Sequence, residues 1–452
     1  MRNNIKQCTY FSSQQFRRIS HWFRDEIFRR LFLNAGRLIG ANSITTGIGF
    51  VVTMLTARAL GPESYGVLSL VLVYGMLIGK LVTFEAWVSI VKFGDEALHK
   101  KDRTGFRQLI KFGFCLDLST AILGTILAIM LSGPIIDLLG WDRTVQPLIN
   151  IYCFVLLFGL HGTSIGVLRL YDRFDLLSYT GVVTAVIRLA GIVICLLTGQ
   201  KLYGFVLVYL ITEILGQLYQ TGACLWVLHV QGVGNFIREP LEGITQRFSG
   251  LWKYVLSTNL NQTIKIVSRQ GDSLLVAGFT TPADLGLYTI AKRIAKIMGG
   301  MSDPFFQSIY PELTRLWAAS KKKEFLSLIK RTTFILTGVA LGIWLCFVII
   351  GSPLIVLAFG KSFQASYLLG VIYMFARVIA VCAFALGPAL VTIGMPGEWL
   401  SALVITTVVY FLLLVPTLST MGIIGAPLSY IAYQVVWLSS ALYFLSARGK
   451  FD

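Results

Sequence analysis

The chain has no Cys-x-x-Cys pair, no phosphate-binding P-loop and no HExxH helix. A disulfide framework, a metal helix of that kind and nucleotide hydrolysis are therefore not encoded. No nucleophile elbow is expected either. The seven cysteines (positions 8, 115, 153, 195, 224, 346 and 382) read as small apolar packing residues. The four histidines, His21, His99, His161 and His229, lack a second ligand at metal spacing. His161 falls inside an apolar stretch, where it is either a satisfied interior group or a proton relay. Long polar segments are missing too, so no catalytic domain has room to fold outside the apolar stretches. A glycosyl polymerase would expose a large outer loop. Enzymatic activity is the poorer reading, and no cofactor or metal is expected.

Apolar residues make up 55% of the sequence, with mean hydropathy +0.73. A membrane-crossing helix takes roughly 20 mostly apolar residues. Stretches of that kind fall near 37–57, 66–90, 109–131, 147–168, 177–198 and 203–229, then near 252–279, 284–310, 328–357, 365–392, 398–418 and 423–446. No alternating ten-residue pattern recurs, so the spans satisfy their backbone groups as helices rather than as barrel strands. The expected fold is all-α and polytopic, with about twelve transmembrane helices.

The net charge of +17 follows position along the chain. Basic residues collect in the amino-terminal segment and in alternate connections. The second connection holds Lys92, Lys100, Lys101, Arg103, Arg107 and Lys111. Later ones hold Arg169 and Arg173, then Arg238, Arg247 and Lys253, then Arg315, Lys321, Lys322, Lys323, Lys330 and Arg331. The opposite side has Arg58, Arg143, Lys201 and Lys361. This positive-inside distribution predicts both termini in the cytoplasm of a bacterial inner membrane, although the connection around Gly394–Glu398 has no cation. The charge thus reports topology, and nucleic acid is not an expected partner.

Residues 1–34 read as a basic amphipathic segment with no signal-peptide core. Phe16, Ile19, Phe23, Ile27 and Leu31 recur at helical spacing opposite Arg17, Arg18, Arg24 and Arg29. Such a helix lies on membrane lipids or docks on a partner protein, the lipid surface being favoured. The chain also repeats itself. Ala57, Pro62 and Gly66 recur as Ala277, Pro282 and Gly286, and Gly204 and Tyr209 recur as Gly425 and Tyr430. The offsets, 220 and 221 residues, are close to half the chain. Two six-span lobes in parallel orientation are expected, 35–230 and 252–447, joined by a cytoplasmic connector at 231–251. Such a layout puts a substrate between the lobes.

Inside the apolar stretches lie Lys80, Arg188, Lys265, Arg269, Lys292, Arg293, Lys296 and Arg377. Charges at that depth are costly unless they face a partner or a polar cavity. Gln262, Lys265, Arg269 and Asp272 share one helix face by spacing. The available acids are Glu85, Asp117, Glu213, Asp272 and Asp303, too few to neutralise every cation even if all were paired. Either the cations are structural pairs or they line an anion-accepting cavity; the surplus favours the cavity. Guanidinium and ammonium groups suit a diphosphate. Lys265, Arg269 and Arg377 are the expected clamp, with Lys292, Arg293, Lys296 and Arg188 widening the positive field. Ser257, Asn259, Asn261 and Gln262 would bond sugar hydroxyls; the tyrosines and tryptophans are numerous enough to stack on sugar rings, but most are assigned to membrane interfaces. Glu85, Asp117, Asp272 and Asp303 are the candidates for proton or sodium coupling.

The stretch Asn34–Gly75, with its LGPESYG turn at Leu60–Gly66, resembles the amino-terminal signature of the Wzx-type oligosaccharide flippases. These belong to the multidrug/oligosaccharidyl-lipid/polysaccharide exporter superfamily. GIIGAPLSYI, Gly422–Ile431, resembles the start of the family's last span, and the layout extends the likeness over about 35–447. The resemblance implies a V of two six-helix lobes moving undecaprenyl-diphosphate-linked oligosaccharide to the outer leaflet. Partners would be the polyprenyl-diphosphate oligosaccharide, membrane lipids and other polysaccharide-assembly proteins. Drug-exporting relatives are expected to carry an acid in the first lobe's cation site, and span one has none. Lipid II flippases usually add two carboxyl-terminal helices, and this chain does not match that pattern. A cation-coupled exporter and a non-transporting assembly partner remain the rival readings.

Overall fold

The computed structural model describes residues 26–84, 86–300 and 303–448, with side chains described over 44–84, 86–259, 270–298 and 309–446. The expected helix over 1–34 lies outside the described residues as far as position 25. Among the described residues every regular element is helical. Eight helical stretches are long and apolar enough to cross a bilayer by length and composition, two of them long enough to cross twice. The chain is an all-α polytopic membrane protein, as expected.

The first half comprises α1 (Glu26–Val82, broken at Gly61), α2 (Ala86–His99), α3 (Arg103–Leu139), α4 (Gln146–Cys153), α5 (His161–Leu170), α6 (Phe174–Leu197) and α7 (Leu202–Val230). The second half repeats the order with α8 (Leu251–Phe279), α9 (Pro282–Gly300), α10 (Asp303–Ala318), α11 (Lys322–Phe359), α12 (Ser366–Cys382), α13 (Leu386–Thr392), α14 (Pro396–Met421) and α15 (Gly425–Arg448). All twelve expected spans are occupied by helix. Among the described residues four of them take in more than one helix: 66–90 (α1 and α2), 147–168 (α4 and α5), 284–310 (α9 and α10) and 365–392 (α12 and α13). The fourth span of each half is thus broken within its length.

The repeated sequence motif becomes a reciprocal contact. A Cβ on Gly66 would collide with the Pro282 carbonyl, and a Cβ on Gly286 would collide with the Pro62 carbonyl. Each copy of the motif therefore packs its glycine against the other copy's proline, and only glycine permits that approach. The same end is closed by the Trp141 indole, which donates to the Ala277 carbonyl at 2.7 Å. Edge-to-face pairs Tyr65–Phe363 (6.0 Å) and Phe50–Phe359 (5.8 Å) add to it.

One apolar core takes residues from both halves at this end, including Val52, Leu68, Tyr74, Val276, Tyr288 and Phe363. At the other end the halves hold separate cores. Ile90, Phe106, Leu109 and Phe248 form one, and Leu313, Phe325 and Ala389 form another. The connecting segment 231–250 is tied to the first half. Arg247 reaches Asp102 (2.8 Å) and Gln108 (2.9 Å), and Arg107 meets Glu239 at 2.6 Å. The start of α8 stays with that half, Tyr254 against Phe93 and Trp252 against Phe112. Its later turns join the second half at Asp272. Positions 265 and 269 fall on the intervening turns.

Candidate substrate and coupling sites

A tyrosine-lined carboxylate forms the polar centre of the second half. Asp272, on α8, is 4% exposed. Lys292 Nζ, on α9, donates to its two oxygens at 2.7 and 2.9 Å. The Tyr288 hydroxyl donates to Oδ2 at 2.6 Å, and those of Tyr410 and Tyr373 reach it at 3.3 and 3.5 Å. The Ser273 N–H donates to Oδ1 at 2.8 Å. A buried charge is tolerated when it is both paired and hydrogen-bonded, and Asp272 is both. Lys292, assigned from sequence to the positive field, and Asp272, assigned to ion coupling, neutralise one another.

Arg377 sits one turn beyond Tyr373 on α12. Its guanidinium lies 5.3 Å from the Tyr430 ring centroid, and its Nε is buried with no hydrogen-bond partner among the described residues. Tyr430 stacks on Tyr433 at 5.5 Å and contacts Tyr373 at 4.9 Å, while Tyr410 packs edge-on to Tyr433 at 5.5 Å. These tyrosines build an interior aromatic wall, apart from the interface role expected of most tyrosines in the chain. The signal lay in the helical spacing of Tyr288 with Lys292 and of Tyr373 with Arg377. Such a wall suits the apolar face of a sugar ring, and a guanidinium with an unfilled donor suits an anion.

The other expected cations scatter. Arg293 Nη2 donates to the Gly49 carbonyl at 2.7 Å, joining the two halves. Lys296 is exposed one turn further along α9. Arg188 belongs to the first half, where it donates to Glu213 (2.7 Å) and Thr212 (3.0 Å) and lies over the Tyr209 ring. Arg188 is therefore neutralised within the first half. The side chains of Lys265, Arg269 and Asp303 lie outside the described residues, as does Glu85. Asp117, on α3, is fully buried and accepts a hydrogen bond from the Thr163 backbone N–H at 2.7 Å.

The letters Gly162–Gly166, GTSIG, match the pattern of a hydrolase elbow, which is not expected of a chain of this kind. They open α5 after a 3-10 turn, not after a strand. Ser164 Oγ donates to the Leu160 carbonyl at 3.0 Å, a local helix contact. The match is one of letters, without the strand–turn–helix setting that makes such a serine nucleophilic.

A polytopic helical protein of two matching halves, with cations and tyrosines in its interior, has the architecture of a membrane transporter. Two solved structures share the fold. Lipid II flippase MurJ in an inward closed conformation superposes with TM-score 0.71 at 14% identity, over 90% of this chain and 87% of that one. An inward-facing multidrug resistance MATE family transporter of the MOP superfamily gives 0.70 at 13% identity, over 89% and 95%. Residues 31–317 match the polysaccharide biosynthesis protein family, and the chain belongs to that family. Inner membrane protein YghQ of Escherichia coli (strain K12) is 26% identical over 349 residues, 77% of this chain and 98% of the relative. The resemblance to Wzx-type transporters holds at the level of the polysaccharide biosynthesis family.

Proposed function

We propose that this protein is a flippase carrying a polyprenyl-diphosphate-linked oligosaccharide from the cytoplasmic to the outer leaflet of a bacterial inner membrane, for assembly of a surface polysaccharide such as O-antigen lipopolysaccharide. The observation that carries the reading is Arg377: a guanidinium with a buried, unfilled Nε set against a tyrosine wall. Lys265 and Arg269, two turns and one turn before Asp272 on α8, complete the diphosphate clamp. Arg293 and Lys296 extend the positive field, while the tyrosines take the sugar face. The family match and the superposition on a protein described as a lipid II flippase support the cargo class.

The positive-inside pattern puts Gly61, Trp141 and Pro282 at the outer surface. The lobes are then closed outward and separate toward the cytoplasm, ready to load from the inner leaflet. Alternating access moves one lobe against the other about the α1–α9 contact. Reconstituted protein should translocate a polyprenyl-diphosphate oligosaccharide in proteoliposomes. Arg377→Gln, and separately Lys265→Gln/Arg269→Gln, should reduce transport at least tenfold while the protein stays inserted, since a charge-assisted contact is worth about 1.5–3 kcal/mol. Native transport that is untouched by both variants removes the clamp; no transport with a matched cargo removes the flippase.

A further inference from the structure

We infer that Asp117 is a proton-binding site controlling the helix break in the first half. It goes beyond the flippase reading and stands whatever the cargo is. The helix α5 starts at His161 without a side-chain cap of its own. Asp117 Oδ2, arriving from α3, accepts the N–H of Thr163, the third residue of that helix, at 2.7 Å. The carboxylate therefore serves as the missing cap and meets the positive end of the helix dipole.

Its other oxygen is left over. Oδ1 is buried and has no hydrogen-bond partner among the described residues, and neither has the Oγ1 of Thr163. Both residues are fully buried. The space beside Oδ1 is held open by Gly162, whose Cβ, if present, would stand 2.8 Å away. A fully buried carboxylate that meets one backbone N–H and, among the described residues, no cation sheds its charge by taking one proton. Sodium would need several more oxygens than these two. Among the described residues, the other ionisable groups around the site are His161 on α5, Lys80 on α1 and Cys224 on α7. His161 also has a buried Nδ1 with no partner among the described residues, which makes it the candidate relay.

The internal repeat supplies an independent comparison. The position 220 residues beyond Asp117 is Thr337, and its hydroxyl reaches Cys382 Sγ at 3.4 Å, at the break between α12 and α13. A neutral hydroxyl thus suffices to pack the equivalent break in the second half. The acid in the first half serves something that packing does not require.

A proton from the aqueous phase forms a new O–H bond at Oδ1 and no other covalent bond breaks. The carboxylate charge is cancelled, the new hydroxyl donates to Thr163 Oγ1, and Oδ2 keeps the Thr163 N–H without charge assistance. The cap weakens, and the population of conformers at the α4–α5 break shifts.

The test is infrared difference spectroscopy of the full chain in lipid nanodiscs, titrated from about pH 9 to about pH 5. The native protein should gain a protonated-carboxyl signal that is missing from Asp117→Asn and from Asp117→Thr, the residue its counterpart carries. His161→Gln should slow its appearance without removing it. A signal of full size in both Asp117 variants, or none in the native protein, overturns the proposal. The measurement uses no cargo, so failure of the flippase reading leaves it intact.

Discussion

At the scale of single residues, the interior cations divide by what surrounds them. Lys292 and Arg188 meet carboxylates and serve structure, whereas Arg377 leaves a buried donor unfilled. Removing one member of a buried pair strands the other, at about 3–5 kcal/mol. Lys292 is 22% exposed, so Lys292→Met should fall at the lower end and reduce the melting temperature in detergent by several degrees. Lys292→Met/Asp272→Asn should recover most of the loss, because no charge is then stranded. Equal losses in single and double variants would show that the pair does not hold the second half together. The sequence makes the charges legible, because their depth in apolar stretches is a local property. The tyrosine wall is less legible: Tyr410 reaches Asp272 across 138 residues, and nothing near either residue announces the other.

At the scale of elements, spacing and composition locate the helices but not the breaks within them. A stretch such as 147–168 keeps its apolar character through the interruption at Phe154–Leu160, so hydropathy reads one continuous helix. Asp117, which reaches the start of α5 from α3, is one tertiary contact at that break. The repeated Pro and Gly are different, since their identity at fixed offset survives in sequence and their contact explains it. Gly66→Ala and Gly286→Ala should each force that end apart. Overpacking costs about 1–3 kcal/mol, a shift of roughly 5–150-fold in the closed population. Thiol labelling of a cysteine placed at Ala277, which is fully buried, should accelerate in both variants in a background lacking other cysteines. The two substitutions share one contact, so together they should add little. Labelling unchanged by either would mean that this end is not held by the glycines.

At the scale of the whole molecule, closure at one end and separation at the other describe one of two states an alternating-access machine must visit. The contacts that must break lie between Gly61 and mid-span: the glycine pair, Trp141 to Ala277, Tyr65 against Phe363, and Arg293 to the Gly49 carbonyl. The first three close the surface, and the last ties α9 to α1 deeper in. Cysteines replacing Tyr65 and Phe363, whose rings lie 6.0 Å apart, can be joined by a short thiol-cleavable cross-linker. Joining them should hold the closed state and stop translocation, and reductant should restore it. Arg293→Met should act the other way on the equilibrium, loosening the deeper tie so that the cross-link forms more slowly. Full transport with the cross-link complete would show that this end never opens during the cycle, and the moving boundary would then have to be sought at the opposite end, between the cores around Phe106 and Phe325.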